Sequence, residues 1–131
     1  MEELIVSIKI FTDSASDLPL NIVKENDIGL VCLTVNIKGE FLEDDLGQTI
    51  KYDDFYKSLR EGELTSTAQV NVFTFEETFR KELEKGNDII YISLASELSG
   101  TYNSARIARE KIYNKIVSPI NCSGCALLTQ R

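Results

Sequence analysis

The stretch 87–110 reads NDIIYISLASELSGTYNSARIARE, and the fold follows from it. Asp88 to Leu94 is a short, isoleucine-rich apolar run between polar residues, as a strand buried on both faces reads. A polar turn follows, Ala95-Ser96-Glu97, and after Leu98 the pair Ser99-Gly100. From Thr101 onward, Tyr102, Ala105, Ile107, Ala108 and Ile112 recur at helical spacings. The unit is strand, Ser/Gly-rich turn, helix. In a parallel α/β sheet such turns lie at the carboxyl ends of strands, where ligands bind. Free N–H groups and the helix dipole there favour an anion. Two readings fit this stretch: an anion site, or Ser96 or Ser99 as a simple N-cap of a structural helix.

Working back to the start, Leu4 to Phe11 reads as a first strand, interrupted by Ser7 and Lys9. It ends in Thr12-Asp13-Ser14-Ala15-Ser16-Asp17, short polar residues that make turns. Asp17 is placed to cap a helix over about 19–25, with Pro19 in its first turn. Asp13 or Ser14 facing a ligand is the alternative. Gly29 to Ile37 is the second strand, with Val31, Leu33, Val35 and Ile37 on one face. Lys38-Gly39 reads as a turn, and Glu40 to Leu46 as a return strand or loop. The adjacent acids Glu43, Asp44 and Asp45 read as a solvated loop, because a metal would need further oxygen ligands. Asp53 and Asp54 open a helix, where negative charge complements the dipole.

Gly62 ends that helix, and Leu64 to Val70 reads as a hydroxyl-rich, uncharged loop. Such a loop either holds a ligand's polar end or satisfies its own backbone. Thr74 is placed to cap the next helix, through Phe75, Phe79 and Leu83, with Glu77 completing a capping box. Gly86 ends it. After the central unit, Lys115 to Val117 reads as a strand and Ala126-Leu127-Leu128 as the start of a helix.

Composition narrows the function. The chain has 131 residues, 43% hydrophobic and 27% charged, with a net charge of −7. That is one ordinary globular domain, and its acidity leaves no electrostatic footprint for nucleic acid or an acidic membrane surface. No apolar run reaches the length of a membrane span. The acidic start, Met1-Glu2-Glu3, does not read as a signal peptide, so a cytoplasmic protein is expected. The absence of histidine removes Ser-His-Asp triads and His-ligated zinc. Cys122-x-x-Cys125 opening a helix would be the placement of a redox dithiol. A thioredoxin-like domain, however, carries its pair after the first strand, and two unrelated small residues is the preferred reading.

Three stretches decide together what none decides alone: Thr12-Asp13-Ser14-Ala15-Ser16-Asp17-Leu18-Pro19, Thr65-Ser66-Thr67-Ala68-Gln69, and Ser96-Glu97-Leu98-Ser99-Gly100-Thr101-Tyr102-Asn103-Ser104-Ala105. In this order and spacing the chain resembles the DegV family of bacterial fatty-acid-binding proteins, which includes the binding subunits of fatty acid kinase. The family is about twice as long, so the resemblance is to its N-terminal lobe, with residues 1–131 forming one domain that stops near its C-terminal end.

The resemblance implies an α/β fold, mainly parallel sheet with helices on both faces. It implies a protein that binds and does not catalyse, whose ligand is a long-chain fatty acid and which needs no other cofactor and no metal. Thr67 and Ser96 match the hydroxyl residues that hold the carboxylate, with Ser14, Ser99 and Gly100 in supporting places. The implied partners are the fatty acid and a fatty acid kinase catalytic subunit, which phosphorylates the bound carboxylate. The motifs carry no lysine or arginine, and a hydroxyl-rich strand end suits one carboxylate through charge-assisted hydrogen bonds. Two alternatives stand beside this: a non-functional or structural fragment of such a protein, prone to self-association through apolar surface left open, and a small thiol redox protein using Cys122 and Cys125.

Overall fold

Strand β1, Ile8–Asp13, pairs in parallel with a strand eighty residues later in the chain (Ile8 opposite Asp88). The computed structural model describes residues 7–93, 100–112 and 125–128. In chain order β1 is followed by α1 (Leu20–Glu25), β2 (Gly29–Val31), β3 (Thr34–Ile37), β4 (Glu40–Glu43), α2 (Tyr52–Arg60), β5 (Thr65–Ala68), α3 (Val72–Glu84), β6 (Asp88–Ile92), α4 (Gly100–Ile112) and β7 (Cys125–Leu128). They form a four-stranded sheet, β2-β1-β6-β7, and a three-stranded one, β4-β3-β5. The first is parallel except for β7, the second antiparallel throughout. The architecture is α/β with a mainly parallel sheet and helices, as the sequence leads one to expect.

Alternation along β1 and β6 sends Phe11, Ile89 and Tyr91 to one face of the main sheet. There they meet Phe75, Phe79 and Leu83, one stripe of α3, with Ala105 and Ala108 of α4 and with Val31 and Val70. Phe75, Phe79 and Tyr91 pack with ring centroids 5.1–6.1 Å apart. The connections β1–α1–β2 and α3–β6 run in opposite senses across the sheet, so right-handed crossovers put α1 and α3 on opposite faces. With only six residues, α1 leaves Ile8 59%, Ile10 43% and Ile92 45% exposed.

Several local expectations need correction. The strand expected over Gly29–Ile37 is two strands in different sheets, broken at Cys32-Leu33. Val31 ends the parallel sheet, and Leu33 turns its N–H to the Ser14 hydroxyl, at 3.0 Å, and its carbonyl to Asp44 N–H, at 2.9 Å. Apolar alternation runs straight through this break, so the pattern hid it. The hydroxyl-rich stretch Thr65–Ala68 is an edge strand and no loop: its backbone pairs on one side with β3.

The caps differ as well. Asp17 does not cap α1; it sits at φ 53 behind a short 3-10 turn (Ser14–Ser16), and Asp13 caps that turn by accepting from Ala15 N–H. Asn71 caps α3 through Thr74 N–H at 2.8 Å, displacing the expected Thr74 box. Residues Cys125–Leu128 form a strand where a helix start was expected. The Lys38-Gly39 turn holds, with both residues left-handed at φ 54 and 85, as a tight two-residue hairpin requires. The expected strand at Lys115–Val117 lies outside the described residues.

Ser14 is fully buried, and its oxygen is the acceptor for Leu33 N–H. Ser14→Ala leaves that donor unpaired in the interior, which costs about 1–3 kcal/mol. Urea unfolding should show a loss in that range, and a loss under about 0.5 kcal/mol, the size of an ordinary surface change, would contradict the role given to this hydroxyl.

Candidate functional site

Because β1 and β6 are parallel, their carboxyl ends lie at one edge, and α4 begins beyond that edge. Buried hydrogen bonds fix this end. Tyr91 donates its hydroxyl to Asp13 Oδ2 at 2.5 Å, while Asp13 Oδ1 accepts from Ala15 N–H at 3.0 Å. Thr12 Oγ1 donates to the carbonyl of Ile92 at 2.9 Å. Burial and the bond to Asp13 push the Tyr91 phenol far above its ordinary pKa. Asp13 is 2% exposed and Ser14 is fully buried. Ser14, expected in a supporting place, is thus held inside the lobe, its hydroxyl bonded to Leu33 N–H and Asp44.

Thr67 stands exposed on β5, opposite Val35 of β3. Ser96 and Ser99 lie outside the described residues. Gly100 is the first residue of α4, and the Gln69 side chain lies directly against it. A Cβ added to Gly100 would come within 2.7 Å of Gln69 Cδ and 3.1 Å of Nε2, with Oε1 closer still. The structure therefore brings the end of β5 to the start of α4, two of the three stretches singled out in the sequence. Gln69 was quoted there without a role. It directly follows β5, two residues after Thr67.

A concavity of about 120 Å³ lies under α2 between Val35, Ile50, Tyr52, Phe55, Tyr56, Asp17 and Asp44. Burial raises the Asp44 carboxyl above its ordinary value, against hydrogen bonds from Ser14 and Leu46 N–H that lower it, and nearby Asp17 and Asp45 raise it further. Two carboxylates make this cavity unsuited to an anion. Cys32 beside it is pushed up to about 11, first by burial and then by Glu43, Asp45 and Asp44, so it is no reactive thiolate. Cys125 opens a strand, not a helix, so the helix terminus invoked for a redox pair is absent at that residue; Cys122 lies outside the described residues. Among the described residues, no group of three or more Cys, Asp or Glu is placed to hold a metal ion. No described helix is long and apolar enough to cross a membrane.

A family model described as an uncharacterised protein of the DegV family matches residues 7–127. The chain belongs to the DegV family. A DegV domain-containing protein of Clostridium perfringens is 45% identical over 106 residues, which cover 81% of this chain and 36% of the relative. Among solved structures, a Thermotoga maritima protein described as revealing a fatty-acid-binding function is 32% identical with a TM-score of 0.71, covering 82% of this chain and 40% of that one. A stearic-acid-binding protein of Eubacterium ventriosum is 29% identical with a TM-score of 0.71, covering 80% and 36%. This DegV-family chain thus spans about two fifths or less of the length of these relatives.

The raised Asp44 pKa sets a pH dependence. The folded state holds this proton more tightly than the unfolded chain, so stability falls as pH rises from the ordinary 3.8 through the folded value. Asp44→Asn removes that loss while keeping an acceptor for Ser14. The variant's melting temperature relative to the parent should therefore rise between about pH 3 and about pH 7. A gap that stays constant or shrinks over that range would contradict the assignment.

Proposed function

We propose that this chain binds a long-chain fatty acid, with the carboxylate held by the hydroxyls of Thr67 and Ser96. Ser99 and Gly100 support the site by shaping the start of α4. The observation that supports the reading is the meeting of β5 and α4 at Gln69 and Gly100: Thr67 precedes Gln69 by two residues, and Ser96 precedes Gly100 by four in the sequence. Relatives of the same fold described as fatty-acid-binding support the ligand class. The head group would then be open to a partner kinase that phosphorylates the carboxylate, the protein itself binding and presenting without catalysis. Hydroxyl donors suit this use: they orient one carboxylate strongly without a fixed counter-charge.

The whole relatives are more than twice as long, and the remainder of such a protein would supply further walls for the acyl tail. A structural fragment that associates through its open sheet face is the second reading, favoured by the exposure of Ile8, Ile10 and Ile92.

Titration with stearic acid and with octadecanol separates these readings. Thr67→Val and Ser96→Ala should each weaken stearic acid by about one to two decades, the value of one hydrogen bond to a charged group. Octadecanol, which lacks the charge, should change little. The two donors share one acceptor group, so the double variant should depart from additivity. Equal losses for both ligands would show that these residues shape the strand and turn without reading the carboxylate, and a parent chain that takes up neither ligand would favour the structural fragment.

A further inference from the structure

We infer that Gln69 is a head-group residue of the lipid site, donating its carboxamide N–H to the ligand carboxylate, and that position 100 is glycine in order to admit that carboxamide. This rests on the fatty-acid reading above. Three observations carry it. Gln69 directly follows β5, two residues after Thr67, and both residues are exposed. Its carboxamide lies against the first residue of α4, with Oε1 nearest to where a Cβ at position 100 would stand, then Cδ at 2.7 Å and Nε2 at 3.1 Å. Gly100 needs no left-handed backbone; its φ lies outside the range that disfavours other residues, so the neighbouring carboxamide is what a side chain there would meet.

The chemistry fits the ligand. A primary carboxamide offers two N–H donors and no charge. It therefore strengthens the hold on a carboxylate in the same way as the hydroxyls, without the fixed cation that would bind any anion. Gln69 is exposed, so it reaches a bound head group without opening the core. It also lies apart from the acidic cavity under α2, whose lining includes Asp17 and Asp44.

This contact has a genetic signature. An Ala side chain at position 100 meets the far end of a flexible residue, so it evicts the carboxamide at little expense to folding. Gly100→Ala should then reproduce Gln69→Ala. Each single variant should weaken stearic acid by about one decade, the lower end of what one hydrogen bond to a charged group contributes. Octadecanol affinity should stay within about threefold of the parent, well under that decade. The double variant should be no weaker than either single one, because both remove the same donor. Gln69→Glu, similar in size but negatively charged, should weaken stearic acid more than Gln69→Ala does, since like charges would face each other.

The arms distinguish the two claims. If Thr67→Val weakens stearic acid selectively while Gln69→Ala does not, the head-group role of Gln69 is overturned and the fatty-acid reading stands. If Gly100→Ala and Gln69→Ala lose affinity additively, the link between the two positions is overturned. If the parent binds neither stearic acid nor octadecanol, both readings fall.

Discussion

The buried hydrogen bond from Tyr91 to Asp13 is the contact around which the rest of the molecule is set. It joins residues 78 positions apart, at the carboxyl end of the parallel pair β1 and β6. A hydrogen bond to a buried charged group is worth about 1.5–3 kcal/mol, and more is lost when one partner is removed and the other left alone. Asp13 also caps the turn that follows β1. The next residue, Ser14, reaches across to Leu33 and joins the second sheet to the first. Two consecutive buried side chains thus hold the strand ends, the first connection and the smaller sheet in one arrangement. Thr12, Asp13 and Ser14 are all engaged in these internal hydrogen bonds.

The division of labour between the two sheets follows from burial. The main sheet buries Phe11, Ile89 and Tyr91 under α3 and α4, and its order is set by that core. The smaller sheet buries little beyond Val35, and its edge strand β5 presents Thr67 outward. A rigid core carrying an exposed hydroxyl strand beside a helix start is an arrangement in which binding groups are positioned by packing elsewhere. Charge separates two parts of the surface: Asp17 and Asp44 reserve the cavity under α2 from anions, whereas Thr67 and Gln69 carry no charge at all.

Much of this was legible in the sequence. The isoleucine run 88–92, the helix from Gly100 and the stops at Gly62 and Gly86 stand where periodicity and punctuation put them. The α/β class and the DegV resemblance followed from three polar stretches. What was not legible depended on contacts between distant residues. Alternation from Val31 to Ile37 reads as one strand, because each half does alternate; only the pull of Ser14 on Leu33 separates them. Thr65 to Ala68 lacks the apolar pattern of a strand and becomes one because β3 offers an unpaired edge. Ser14 reads as turn chemistry or as a ligand residue, because short polar residues at strand ends serve both uses; its burial and its bond to Leu33 were not legible. The proximity of Gln69 to Gly100 depends on the fold bringing the end of β5 to the start of α4.

The central claim is that this lobe itself holds a long-chain fatty acid by its carboxylate. Mass spectrometry of an organic extract of the chain, purified from bacterial cells, tests it most directly. The account predicts free long-chain fatty acid close to one per chain, with phospholipid absent from the extract. An extract with the bulk composition of the host membrane, or one without fatty acid, would contradict it.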